Sequence, residues 1–267
     1  MKKVTGLLLL FIGVLLLLNL NVAHRFHTES TQIKPGTLLL MADDWNVNNW
    51  YKYKDSFEKY GLKLTFYVSH IHTMDSMRLA KLRVLQSEGH EIAFHTLNHH
   101  DAQKYVQANG LQEYLKVEVD SGLALFRKAG FTTKAFAFPC GSYASAYFPS
   151  MRQRFQTLRL NNFPLHQVPY VEDSVKFIQP HNFMFSCFAL DDAYGFDQAK
   201  LSSLLEEVQK GETVALLFHS IGEDSPWSMS EANFRTFLML YASYQVRSET
   251  VSGFFKNAVV DCSGSMD

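Results

Sequence analysis

Apolar and polar positions fall into blocks that alternate along the chain. "TLLLMADDW" (37–45) is a continuous apolar run closed by two aspartates, the pattern of a strand buried on both faces with polar residues at its C-terminal end. The next block, "NNWYKYKDSFEKYG", spaces its apolar residues as an amphipathic helix stopped by Gly61. The alternation then repeats. "LKLTFYVS" and "HEIAFHT" predict strands on either side of a helix in "MRLAKLRVLQSEG". "LQEYLKVEVDSGLALFRKAG" predicts a longer helix ending at Gly130, followed by a strand in "KAFAFP". "TLRLNNF" and "SVKFIQPHNFMFSCFALDD" contain strands with less definite bounds. "DQAKLSSLLEEVQKG" predicts a helix, "TVALLFHS" a buried strand ending in His219, and "SMSEANFRTFLMLYASY" a last helix. Strands alternating with helices indicate βα units around a parallel sheet, and about seven units favour a barrel over an open sheet.

The first residues break this pattern. "MKKVTGLLLLFIGVLLLLNLNVAHRF" has two lysines and then an apolar run to Leu20, the layout of a secretory signal or, if uncleaved, of a membrane anchor. The expected organisation is therefore a signal peptide or anchor over 1–23, a polar linker over 24–36 and one α/β domain over 37–267. Its expected location is exported, periplasmic or otherwise extracytoplasmic, with anchoring to the membrane as the alternative. Charge is nearly balanced, 25 basic residues against 26 acidic, with no basic tract, which argues against a nucleic-acid partner. Cys140, Cys187 and Cys262 form no CxxC pattern and no disulfide framework, so the reading is buried or free thiols, although an exported chain could join two of them.

In parallel α/β folds the side chains that do chemistry collect at the C-terminal ends of the strands. Asp43 and Asp44 end the first strand, His95 and His99 follow the third, "FPCGSY" follows the fourth, and His219 ends a late one. Adjacent aspartates are usually a solvated loop or a helix cap, and a lone histidine after an apolar strand is usually core. Their shared rim changes that reading, because together they make a complete hydrolytic set. Two imidazoles and one carboxylate can hold a divalent ion with an open position. A second carboxylate can accept a proton from water, backbone N–H groups of the Pro139-Cys140-Gly141 turn can face an oxyanion, and a histidine can protonate a leaving group. Hydrolysis of an amide or ester follows from such a site.

Asp43-Asp44, "GHEIAFH" running into His95-Thr-x-x-His99, Phe138-Pro139-Cys140-Gly141 and Leu217-Phe218-His219 resemble, in order and spacing, the polysaccharide deacetylase family, carbohydrate esterase family 4. The resemblance implies a distorted (β/α) barrel of fewer than eight units and removal of acetyl groups from N-acetylated or O-acetylated polysaccharide. It implies a divalent metal, zinc first with cobalt, nickel or iron as alternatives, held by Asp44, His95 and His99. By position Asp43 would be the general base, the backbone N–H of Cys140 the oxyanion donor and His219 the general acid. Trp45, Pro139 and Tyr143 would touch substrate. Asp191 or Asp192 would orient His219. Near these, His70 and His72 could line the cleft, and His100 and Asp101 read as a solvent-facing helix start.

The chain departs from the family pattern in two places. Met41-Ala42-Asp43-Asp44-Trp45 stands where Thr-Phe-Asp-Asp-Gly is usual, so Trp45 brings a large ring beside the metal position. Ala137 stands where an arginine commonly holds the catalytic aspartate, which leaves the charge and placement of Asp43 to some other group; some exopolysaccharide deacetylases have a similar arginine-less version. These departures motivate a second reading, a non-catalytic carbohydrate-binding protein of the same fold. A third keeps barrel and metal but hydrolyses a non-sugar amide.

Overall fold

A computed structural model of the chain describes residues 36–256. The N-terminal apolar run, all of the linker but Gly36, and Cys262 lie outside the described residues. Seven parallel strands run in chain order: β1 (Thr37–Asp44), β2 (Leu64–Val68), β3 (Glu91–Phe94), β4 (Ala135–Ala137), β5 (Thr157–Pro164), β6 (Met184–Ala189) and β7 (Thr213–Phe218). Each pairs with the next, and β7 pairs back onto β1 over Thr37–Ala42, so the sheet closes into a barrel. Closure explains why β1 is apolar throughout: Leu38 to Ala42 are fully buried, one set of alternate residues facing the barrel interior and the other the surrounding helices.

The interior set is distinctive. Leu39, Met41, Tyr67, Ala93, Ala135, Ala137, Cys187, Ala215 and Leu217 form one cluster inside the barrel. Alanines on β3, β4 and β7 leave room there for two long side chains, Tyr67 and Arg159, both fully or almost fully buried. The outer cluster is larger and rich in aromatics, with Phe94, Phe126, Phe136 and Phe155 packed ring against ring between sheet and helices.

The predicted helices are present, with two changes of detail. The run after β1 is two short helices, Val47–Lys52 and Lys54–Lys59, that meet at Tyr53, and the turn after them does contain Gly61 at φ 64°. The long helix before β4 is helical from Leu111 to Lys128 but widens to a π-helix over Leu115–Ser121. Gly122 follows that segment because a Cβ there would stand 2.5 Å from the Phe94 ring and 3.2 Å from Leu97, so the helix lies directly against β3 and the loop after it.

Candidate active site

The C-terminal ends of the strands bring the expected residues to one mouth. Asp43 and Asp44 leave β1, His95 and His99 follow β3, Cys140 and Gly141 follow β4, and His219 follows β7; together with Phe138, Arg159, Asn162, Tyr194 and Trp227 they line a cavity of about 440 Å³. The backbone is held in unusual conformations at this rim. Asp44, His70, Thr96, His99 and Cys140 all have positive φ, five of the six such non-glycine residues among those described. Strain of this kind persists only where surrounding contacts over-determine it, and it clusters where side chains must be aimed.

Asp44, His95 and His99 each present a ligand atom, and the three atoms lie within 4.8 Å of one another. The site accommodates a metal on the chemistry of its donors. His95 is buried and directs Nδ1 to the Ala137 carbonyl at 2.9 Å, which fixes that nitrogen as the N–H and leaves Nε2, 3.6 Å from Asp44 Oδ1, with its lone pair facing the carboxylate. Burial lowers the His95 pKa to about 4, so the ring is a neutral ligand at neutral pH. His99 Nε2 stands 2.9 Å from the same Asp44 oxygen, yet that buried oxygen has no partner in hydrogen-bond geometry among the described residues. An orphaned carboxylate oxygen between two imidazole nitrogens is what a divalent ion would satisfy. For Asp44 burial opposes the charge, but the contact with His99 and the charges of His219, His95 and His99 outweigh it and hold the carboxyl far below the usual carboxylate range.

Asp43 is 3% exposed. Its Oδ2 accepts a hydrogen bond from the Arg159 guanidinium, while Oδ1 has no partner and remains a free acceptor. The charge left unassigned by Ala137 thus has a partner from the neighbouring strand. Arg159 had no place in the sequence reading, although a charged residue between Leu158 and Leu160 in a predicted strand was a signal for one.

His219 resolves the choice between the two aspartates. Asp191 is fully buried, and its carboxylate accepts both the His219 backbone N–H (2.9 Å) and Nδ1 (2.7 Å). Asp192 is exposed and instead accepts from Asn233 and the Ser230 N–H. Burial disfavours the imidazolium, but Asp191, with Asp44 and Asp43, more than compensates and raises the His219 pKa to about 9. The His219 carbonyl accepts from Trp50 Nε1 (2.7 Å) and Asn46 (3.3 Å), which ties the residue to the first helix.

Of the side chains expected to touch substrate, Trp45 does line the mouth: it is 43% exposed, borders a second cleft of about 690 Å³ that shares Asp44, His219 and Trp227 with the first, and packs on His70 and His99. Pro139 and Tyr143 are not brought to either cavity. Pro139 is buried, and Tyr143 packs between Phe138 and Phe148 because the turn carries its side chain back toward the core. His70 is held at φ 54° by its N–H bond to Leu97, with its ring against Trp45 and the exposed His72 beyond it; neither histidine lines the two cavities. Asp101 caps the helix Ala102–Asn109 at the Lys104 N–H and also accepts from Ser142. His100 is half-exposed but bonded to the buried Glu118 at 2.8 Å. Trp227, 51% exposed and edge-on to Tyr194 and His219, ends the stretch "HSIGEDSPW", which reads in the sequence as a loop over the site; the loop does lie there, but nothing in the sequence singled out its tryptophan. Cys140 and Cys187 are free thiols, so they are not joined to each other.

A family model described as polysaccharide deacetylase matches residues 31–154, just under half of the chain. The match is to the polysaccharide deacetylase family. It covers Asp43, Asp44, His95, His99 and Cys140; Arg159, Asp191 and His219 lie beyond the matched residues and join them only in the fold. Solved structures agree on that fold. The peptidoglycan deacetylase PdaC from Bacillus subtilis superimposes with a TM-score of 0.56 at 16% identity over 87% of this chain and 96% of that one. A family 4 carbohydrate esterase from Streptomyces lividans, in complex with acetate, gives 0.53 at 15% identity over 82% and 94%. The chitin deacetylase from Colletotrichum lindemuthianum gives 0.52 at 14% identity over 82% and 87%. No curated protein matches by sequence.

Proposed function

We propose that the protein is a metal-dependent hydrolase that removes acetyl groups from an N-acetylated or O-acetylated polysaccharide outside the cytoplasm. The observation that carries this reading is the juxtaposition, in one mouth, of the Asp44–His95–His99 donor set with two further buried ion pairs, Asp43–Arg159 and Asp191–His219. A divalent ion held by Asp44, His95 and His99, zinc first, supplies Lewis acidity there when bound. The remaining work belongs to the chain. Asp43 accepts the proton of the attacking water. The backbone N–H of Cys140 faces the oxygen that becomes negative in the tetrahedral intermediate. His219, charged at neutral pH and with Nδ1 held by Asp191, donates from Nε2 to the departing sugar nitrogen or oxygen. Trp45 and Trp227 offer exposed indole faces on the rim for sugar rings. Export and possible anchoring rest on the N-terminal apolar run alone.

The non-catalytic reading lost its main motive when Asp43 proved to have a guanidinium partner, and the exposed indoles favour a glycan over a small amide. The test is acetate release from a panel of acetylated glycans by the zinc-loaded protein. Expected are turnover, its loss on chelation and in Asp44→Ala, His95→Ala and His99→Ala, and a fall of about 100- to 10,000-fold in kcat for His219→Ala. A metal-loaded protein that releases no acetate from any of them overturns the reading.

A further inference from the structure

We infer that Arg159 is the positioning residue for Asp43, doing from β5 what a residue at position 137 on β4 would otherwise do. The inference rests on the hydrolase reading above, and it concerns how the proton acceptor of that site is held. Ala137 and Arg159 are direct partners in the β4–β5 pairing, so their side chains leave the sheet on the same face, one inter-strand step of about 4.8 Å apart. That face is the barrel interior, where Ala137 belongs to the same cluster as Ala93, Ala135 and Ala215. A guanidinium rooted at either position would leave the sheet toward the same interior. Ala137 is small where Arg159 is large.

Arg159 is also fixed on sides other than Asp43. It is 1% exposed, its guanidinium centre lies 5.4 Å from the Tyr67 ring centroid, and its second terminal nitrogen stands 3.7 Å from Cys187 Sγ. Tyr67 is itself the register partner of Asp43 on β2. Beyond Arg159 the β5–β6 register shifts once, and pairing resumes from Asn162 to Pro164, so the irregularity lies directly beside the root of the guanidinium. The guanidinium therefore does not wander: a single buried cation, flanked by an aromatic ring and a thiol, holds Oδ2 of Asp43, the oxygen that also stands 3.5 Å from His95 Nε2.

The test compares Arg159→Met with the exchange Arg159→Ala/Ala137→Arg. In Arg159→Met we expect kcat for acetate release to fall about 100-fold, the effect of a misplacement of about 1 Å at a reacting group, with KM and zinc affinity within about twofold of the parent. The exchange restores a guanidinium to the interior from the neighbouring strand and is expected to return kcat to within about tenfold of the parent. Parental kcat in Arg159→Met overturns the proposal, as does an exchange variant that folds and binds zinc but stays below about 1% of parental kcat. Should Arg159→Met fail to fold, the exchange decides alone. If the parent releases no acetate, the hydrolase reading falls separately. A crystal structure of Arg159→Met then decides this one: a displaced Asp43 carboxylate supports it and an unmoved carboxylate overturns it.

Discussion

His219 keeps its proton to higher pH than a free imidazole because Asp191 accepts from both its main chain and its ring. A general acid must be protonated to act, so the activity is expected to persist through neutrality and to fall as pH rises through about 9. Asp191→Asn keeps an acceptor but removes the charge; the basic limb of the kcat profile should then move down toward the ordinary imidazole value of 6.5, with kcat at pH 8 reduced about tenfold. A profile unchanged in that variant would mean that another group sets the limb. The same raised pKa is a stability contribution, fully present below pH 6.5 and lost as pH rises through about 9. The single residues of the metal set were legible because Asp-Asp and His-Thr-x-x-His are contiguous in the chain. The partners were less so: Asp43 and Arg159 are 116 residues apart, and Asp191 differs from Asp192 only in which way its side chain turns.

At the scale of elements, the π-helix has a visible task. It delivers Glu118, fully buried, under the loop that carries His99, where its carboxylate accepts the Asn98 N–H (2.9 Å), the Asn98 side-chain amide (2.7 Å) and His100 Nδ1 (2.8 Å). The Glu118 backbone carbonyl takes the Leu97 N–H as well. Burial opposes the Glu118 charge, and those hydrogen bonds outweigh it and lower its pKa below the ordinary value. The loop is thus braced by a residue that touches no ligand atom. Glu118→Ala is expected to weaken zinc binding about 10- to 100-fold, as loss of outer-shell support does, measured by calorimetric titration of the metal-free protein. Affinity within twofold of the parent would remove Glu118 from the metal's support. Sequence periodicity foretold one long helix here. It could not foretell the wider turn, because an apolar stripe records which face is buried and not how the backbone hydrogen bonds are shared.

For the whole molecule, the pairing of β1, β2 and β3 makes the candidate metal site and the fold one thermodynamic unit. The three candidate donors come from the end of β1 and the loop after β3, which meet only when β1, β2 and β3 are paired. An ion that binds the folded chain alone stabilises it by about 2.7 kcal/mol at a free concentration 100 times its Kd. The thermal midpoint should therefore rise by several degrees when zinc is added to the parent and stay fixed in His95→Ala/His99→Ala. An equal rise in both would locate zinc elsewhere.

The seven-unit parallel barrel and the gathering of Asp43, Asp44, His95 and His99 at one mouth follow from the sequence by itself, because each is written in a local signal: a two-sided apolar run marks a buried strand, its polar terminus marks the mouth, and four-residue spacing brings two histidines together. Only the tertiary structure decided that Arg159 holds Asp43, that Asp191 and not Asp192 holds His219, that Trp227 stands at the rim while Pro139 and Tyr143 turn away, and that Glu118 lies beneath the loop that carries His99. Each of these depends on strand register or on the course of a loop, and the chain encodes them only through the packing of all its elements at once. An arginine in an apolar strand announces that it must find a partner in the interior; which carboxylate it finds is settled when the barrel closes.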